Sequence, residues 1–339
     1  MRAAFIDAKE TLTVREIDVP EPGAGQVRVR IDYVGICGSD LHYYFEGANG
    51  AFVVREPLIP GHEVSGRIAH DPTGQWAAGT PVTVHPATFG TPTPGLEDAP
   101  HLWPNGAYLG SASTWPHTQG GMVEQLIVDR AMVRILPPSL PVRRAVLAEP
   151  LAVALHGVSR AGDVTGKRVL VTGSGPIGLL AIAAAVAAGA AEVTATDVLA
   201  GPLERARMLG AAHTIDVSRD QLLPNHYDVV LECSGVAPSI STALVAARPG
   251  GTVVQVGMVP NEPRPLNISP FISKELTYVG TFRFNDEIDA AVELLATTPL
   301  IESVITHEIS AEHAVSAFSV ARDSQASGKV VVALWPEAD

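Results

Sequence analysis

The stretch Gly173-Ser174-Gly175-Pro176-Ile177-Gly178 decides the fold. It follows the apolar, β-branched run Arg168–Thr172 and opens an Ala/Leu/Ile-rich helix reaching Gly189. A G-x-G-x-x-G run alone is weak. Here a strand leads into it, a helix leaves it, and Asp197 ends the next strand, which is the context of a dinucleotide-binding turn. Gly173 permits the tight turn, Gly175 lets the backbone approach a pyrophosphate, and Gly178 allows the helix to pack closely on the strand. Free amides and the positive end of the helix dipole then face the phosphates. Asp197 accepts hydrogen bonds from ribose hydroxyls and repels a 2′-phosphate, so NAD is favoured over NADP. The plainer alternative is a structural glycine turn with a solvated aspartate.

Working outward, strands and helices alternate after residue 150. Strands are expected at 192–196, 227–232, 252–257, 276–281 and 329–334, and amphipathic helices at 286–297 and 311–322. This alternation predicts a parallel sheet covered on both faces. Before residue 150 the texture differs: short β-type runs at 26–31, 64–68 and 82–85, separated by Gly and Pro, predict a compact barrel-like β domain. Residues 86–121 read as a long surface lobe. A chain of 339 residues also exceeds what one core usually supports, which argues for two domains.

Composition narrows the function. The net charge of −13 opposes nonspecific binding to nucleic acid or an anionic membrane. Hydrophobic residues at 46% against charged residues at 17% supply packed cores rather than disorder. The longest apolar run, from Ile177 to Ala191, is too short to span a bilayer. The first residues lack a secretory pattern, and with only Cys37 and Cys233 a reduced, cytoplasmic chain is the simpler expectation.

Three clusters in the first domain belong together: Gly35-Ile36-Cys37-Gly38-Ser39-Asp40-Leu41-His42, Gly61-His62-Glu63 and Ala148-Glu149-Pro150. Singly, each has a dull explanation: a core cysteine, a solvated His-Glu pair, a helix-start acid. Jointly they offer a thiolate, an imidazole and a carboxylate, all ligand types that zinc accepts, and three protein ligands with an open fourth position define a catalytic ion. The two anionic ligands balance the dication.

In this order, these clusters and the glycine turn resemble the medium-chain zinc-dependent dehydrogenases, and within them the sorbitol and L-idonate 5-dehydrogenase branch; Gly110 to Gly121 and Gly280 to Phe284 lean toward the idonate side. The resemblance implies an α/β fold: a GroES-like β-barrel catalytic domain of residues 1–150 and 283–339, and a Rossmann coenzyme domain of 151–282 built on a doubly wound parallel sheet. It implies one zinc held by Cys37, His62 and Glu63, with Glu149 hydrogen-bonding the zinc water or exchanging as a ligand. Ser39 would pass the alcohol proton on and His42 would relay it to solvent. Tyr43, Glu149 and Arg283 would meet the substrate. Pro176, Ile177, Val256, Gly257, Met258 and Phe282 would line NAD beside the glycines and Asp197, plain core packing being the alternative for the apolar ones.

The implied substrate is a secondary alcohol of a sugar acid, L-idonate first, or of a polyol such as sorbitol or xylitol. A homodimer or homotetramer built through the edge strand 275–281 is expected, with no nucleic-acid or membrane partner. Four cysteines hold a second zinc in many relatives; here Phe89, Pro92, Gly95 and Trp103 occupy those positions, so a metal-free lobe held by apolar contacts around Phe89, Trp103 and Trp115 is expected. His85, His101 and His117 nearby are read as hydrogen-bonded or solvated. Pro202 replaces an arginine near the ribose, and Phe284 a tyrosine that touches substrate. Other classes are a zinc-free NADPH quinone reductase of the same superfold and a non-catalytic nucleotide binder.

Overall fold

A computed structural model describes residues 1–335. The chain divides into two compact units. One comprises Met1–Glu149, Ile288–Asp323 and the segment from Lys329; the other comprises Pro150–Glu287 and Ser324–Gly328. Residues 336–339 of the expected catalytic domain lie outside the described residues.

The first unit is built on a seven-stranded sheet in the order Val133–Ile135, Pro81–Val84, Glu63–His70, Gln26–Gly35, Lys329–Ala333, Ile305–Ser310, with Gln125–Asp129 also pairing to Gln26–Gly35. The central strand shows why this region folds as β. Val27, Val29 and Ile31 alternate inward with half-buried neighbours, a period of two. That alternation breaks at Asp32 and Tyr33, where the register against Glu63–His70 shifts. The strand therefore bends there and delivers Gly35 and Ile36 to the site. Val27, Val29, Val64, Ile68, Val82 and Val84 share one core with Phe318 from the helix Ala314–Arg322.

The second unit is a six-stranded sheet in the order His213–Asp216, Glu192–Asp197, Arg168–Thr172, Tyr227–Glu232, Ala247–Gln255, Thr277–Gly280, every pair parallel. This is the doubly wound Rossmann order, and its direction reverses between Arg168–Thr172 and Tyr227–Glu232, the place where such sheets bind ligands. Leu170, Val171, Val230, Leu231, Val253 and Val254 are fully buried, as strands covered on both faces must be.

The edge strand His213–Asp216 and the helix Ala200–Met208 escape the sequence reading. The strand is short, half exposed and without an apolar run. Ser324–Gly328 belongs to the second unit for a physical reason: the buried Arg205 donates to the carbonyls of Ser324 and Ser327 (2.9 Å each), Gln325 (3.3 Å) and Ala326 (3.4 Å).

Candidate metal centre and dinucleotide turn

Three side chains of the first unit converge. One ligand atom from each of Cys37, His62 and Glu63 lies within 4.8 Å of the others. Cys37 is the N-cap of the helix Gly38–Glu46, so its sulfur stands at the positive end of that helix. His62 and Glu63 enter the sheet at the start of Glu63–His70. One acid joins the two segments: Asp40, wholly buried, accepts the Cys37 amide (2.9 Å) and the Gly61 amide (3.1 Å). Gly61 sits at φ 95°, open to glycine and costly for other residues.

Glu63 carries the observation most telling for a metal. Its Oε1 accepts from Lys329 Nζ at 2.5 Å, while Oε2 is buried with no hydrogen-bond partner among the described residues. Room for Oε2 exists because residue 35 is glycine; a Cβ there would stand 2.0 Å from it. An orphaned, buried carboxylate oxygen is costly unless a cation completes it. The imidazole tells the same story. Burial alone would push His62 down, but its hydrogen bond to Cys37 and the charges of Cys37, Asp40 and Glu149 carry it up to about 10. The cluster therefore attracts a cation, and its S, N and O donors suit zinc.

Glu149 stands beside this group rather than within it. It is buried in the first turn of the helix Ala148–Arg160, and Tyr108 Oη donates to its Oε1 at 2.5 Å. Burial, and secondarily the charge of Glu63, raise its pKa, opposed by His62.

Lys329, Asp40 and Tyr108 are participants that motif reading missed. The signal for Lys329 lies in the sheet: Gly35 pairs with Glu63 on one side and with Val331 on the other. Lys329 thus reaches both Glu63 and the Ile36 carbonyl (3.1 Å) from the neighbouring strand.

The remaining expected residues of this unit are placed as follows. Ser39 is half-buried in the first helical turn. His42 is exposed on the same helix, its Nδ1 3.1 Å from Glu46. Tyr43 is buried; its hydroxyl accepts the Ala112 amide (3.2 Å) and lies 3.3 Å from Ser111 Oγ.

In the lobe, Phe89 and Trp115 are exposed, contrary to the expected apolar contacts. Hydrogen bonds organise it instead, among them the pairing of Ala87–Thr88 with Ala107–Tyr108, and Trp103 Nε1 donating to the Leu96 carbonyl at 2.7 Å. A lobe this rich in Pro and Gly has too few apolar side chains for a core of its own. His85 accepts the Ala87 amide and His117 the Arg55 amide.

In the second unit, Gly173 takes φ 83° and its carbonyl lies so close to Gly178 that a Cβ there would stand 1.8 Å away. Gly175 caps the helix Pro176–Ala187, with nothing within 4 Å of where its Cβ would be, so its outward side is open to a ligand. Pro176 begins the helix, and the first-turn amides of Ile177 and Gly178 have no partner within it. Asp197 is tied to the turn: Oδ2 accepts the Ser174 amide (2.9 Å), and Oδ1 those of Val198 (2.8 Å) and Leu199 (3.0 Å). Val256 and Gly257 are half-buried, Met258 and Phe282 exposed. Arg283 has φ 52° and its guanidinium lies 4.9 Å from the centre of the Phe282 ring. Phe284 and Pro202 are buried.

Known proteins match most of the chain. Residues 23–138 match the family described as alcohol dehydrogenase GroES-like domain, and 176–297 that described as zinc-binding dehydrogenase. The chain belongs to the zinc-binding alcohol dehydrogenase family, with a GroES-like catalytic domain and a Rossmann-like coenzyme domain. It is an oxidoreductase of the polyol and sugar-acid dehydrogenase kind, in a family that uses zinc and NAD(P).

Among its relatives, the L-idonate 5-dehydrogenase (NAD(P)(+)) of Escherichia coli K12 is 33% identical over 301 residues, covering 87% of each chain. The sorbitol dehydrogenase of Gallus gallus is 34% identical over 337 residues, 94% of this chain and 93% of the relative. The crystal structure of the E. coli L-idonate 5-dehydrogenase superposes with a TM-score of 0.91 at 31% identity, covering 98% of this chain and 97% of that one.

Proposed function

We propose that this protein oxidises a secondary alcohol of a sugar acid to a ketone, with L-idonate as the first substrate to try, using NAD and a zinc ion held by Cys37, His62 and Glu63. The unpartnered Glu63 Oε2, within 4.8 Å of the cysteine and histidine ligand atoms, carries the reading. Zinc bound there supplies Lewis acidity, which lowers the pKa of a substrate hydroxyl. Glu149 lies beside the three ligands, where it would hydrogen-bond a water held by the ion or join them as a ligand. Ser39 Oγ would accept the hydroxyl proton as it gives up its own toward the nicotinamide ribose, and His42, exposed on the same helix, would relay a proton to solvent.

The glycine turn from Gly173 to Gly178 and the first-turn amides of its helix hold the pyrophosphate, Asp197 selects the unphosphorylated ribose, and Ile177, Val256, Gly257, Met258 and Phe282 line the cofactor. Tyr43 and Arg283 contact the substrate, Arg283 meeting the carboxylate of a sugar acid. The catalytic domain is taken as residues 1–150 and 283 onward and the coenzyme domain as 151–282, with the correction that 283–287 and 324–328 group with the coenzyme unit.

Free polyols such as sorbitol are the second reading, favoured by the sorbitol dehydrogenase relatives. NADH formation with L-idonate, sorbitol and xylitol, in wild type and Arg283→Ala, separates them. The sugar-acid assignment expects idonate turnover to fall most; unchanged idonate turnover with lost polyol turnover refutes it.

A homodimer, or a tetramer of such dimers, is part of the same reading. Among the described residues Thr277–Gly280 is paired on one side only, and Phe271, Ile272 and Tyr278 beside or on it are exposed. An unpaired edge flanked by apolar side chains invites pairing with a second copy. Light scattering of the purified protein tests it. A cytoplasmic setting is part of the same proposal, and the free Cys37 and Cys233 are compatible with a reducing compartment.

A further inference from the structure

The second unit holds a buried acid that none of these roles uses. Glu232 ends the strand Tyr227–Glu232 with its side chain fully enclosed. Its Oε1 accepts from Thr172 Oγ1 (3.2 Å), the Ser234 amide (3.1 Å), Ser239 Oγ (3.0 Å) and Ser234 Oγ. Its Oε2 accepts from the Gly235 amide (2.9 Å) and Gln255 Nε2 (2.6 Å). These donors come from separate places. Thr172 leads into Gly173, Ser234 and Gly235 form the turn after Glu232, Ser239 lies in the first turn of the helix Ala237–Ala246, and Gln255 precedes Val256 and Gly257. One carboxylate thus binds together the C-terminal ends of three adjacent strands, the rim at which an open α/β sheet receives its ligand.

The loops it joins meet at backbone contact. A Cβ on Gly173 would stand 2.9 Å from Ser234 Cβ, one on Gly235 2.1 Å from the Met258 carbonyl oxygen, and one on Gly257 2.3 Å from the Gly235 nitrogen. With no slack between them, a small shift of one turn displaces the others. The Ser234–Gly235 turn is seated by drawing its amides inward, and only an acceptor-only group takes all of these donors at once. A side-chain amide would aim an NH2 at part of the same set and leave buried donors unsatisfied.

We infer that Glu232 is a positioning residue for the dinucleotide: it fixes the turns at Gly173, Gly235 and Gly257 relative to one another, so that the rim is formed before the ligand arrives. Such preorganisation is read as affinity rather than as chemistry. The inference rests on the proposed role of the glycine turn in holding NAD.

Its test is calorimetric titration of NAD+ into full-length wild type, Glu232→Gln, Ser234→Ala and Val230→Ala, with melting temperatures and steady-state kinetics on each. Val230 is a buried apolar residue of the same strand and serves as the control for general destabilisation. Expected is a Kd for NAD+ raised about tenfold in Glu232→Gln and roughly threefold in Ser234→Ala, with kcat at saturating NAD+ lowered less than about threefold. Val230→Ala lowers the melting temperature and leaves Kd unchanged. A wild type that does not bind NAD+ removes the cofactor reading itself. A wild type that binds, with Glu232→Gln binding equally well or Val230→Ala weakening Kd as much at the same melting temperature, overturns the positioning role. Should Glu232→Gln fail to fold, Ser234→Ala decides alone: a wild-type Kd there overturns it too.

Discussion

Lys329 Nζ donates to Glu63 Oε1 at 2.5 Å in a pair with side chains only 2% and 1% exposed, and the other carboxylate oxygen is left without a partner. One oxygen is thereby neutralised within the protein, and the other is kept for a cation. The pair also alters the charge count drawn from the ligands alone. With zinc bound as proposed, the ion, Cys37 and Glu63 would cancel, so Lys329 would leave the centre positive unless Glu149 is ionised. Greater positive potential at the metal favours an ionised substrate hydroxyl.

Replacing Lys329 with methionine keeps the bulk and removes the cation. With no metal bound, the enclosed Glu63 then loses its hydrogen-bonded counter-charge, and the protein should lose about 3–5 kcal/mol of stability. Lys329→Arg should restore part of it. Urea unfolding of metal-stripped protein measures both; a Lys329→Met midpoint equal to wild type would show that the pair contributes nothing.

Cys37→Ser substitutes a poor zinc ligand at the helix N-cap with little change in shape. Purified Cys37→Ser should contain well under one zinc per chain, and its turnover should fall by roughly 10³-fold or more, since the Lewis acid is lost. Wild type treated with a chelator should lose activity in parallel with metal and regain it on zinc addition. Full turnover in metal-stripped protein refutes the proposed site.

Asp40→Asn leaves a hydrogen-bond acceptor but turns an NH2 toward one of two amides, those of Cys37 and Gly61. Because both ligand-bearing segments hang from this carboxylate, zinc affinity should drop by about 10–100-fold. Competition against a chromogenic chelator reads this directly, and an unchanged affinity would make Asp40 merely structural.

Asp197→Ala should improve the kcat/KM ratio of NADP over NAD by roughly tenfold, as the repulsion of a 2′-phosphate disappears. Three backbone amides lose their acceptor at the same time, so stability should fall by about 1 kcal/mol. A cofactor ratio that does not move would assign Asp197 to the turn alone.

Acid should weaken the second unit through Glu287. Burial acts to raise its pKa, but a hydrogen bond from His156 at 2.6 Å, together with the Asn285 amide, lowers it from 4.5 to about 2. A carboxylate whose folded pKa lies below its unfolded value stabilises at higher pH and loses that contribution as pH falls from about 4.5 toward 2. The melting temperature of wild type should accordingly exceed that of Glu287→Gln above pH 5, with the gap closing in that window. A gap independent of pH would mean that the charge plays no part.

Much of this was legible along the chain because the signals are local. A glycine turn between an apolar strand and a helix has one main structural meaning, and Asp197 falls at the end of the next strand. Cys37 beside a helix start, and His62-Glu63 after Gly61, are short motifs whose chemistry depends on residue type. Boundaries were harder to read. The return of Ser324–Gly328 to the second unit depends on Arg205 gripping four carbonyls, a contact no composition or periodicity reveals. The strand His213–Asp216 lacks the apolar run that marks its neighbours, because an edge is wetted on one side. The lobe around Phe89 and Trp115 was expected to bury its aromatics, yet both are exposed.

By itself the sequence determined the two kinds of domain, the candidate ligands Cys37, His62 and Glu63, and the glycine turn with Asp197, since each stands in a short motif whose residue types can be read without knowing the fold. Tertiary structure alone decided that Lys329 holds Glu63, that Asp40 suspends both ligand-bearing segments, and that Glu232 joins three strand ends. The reason is physical. A buried charge must find partners wherever the sheet brings donors within reach, and strand order, not sequence distance, sets which donors those are.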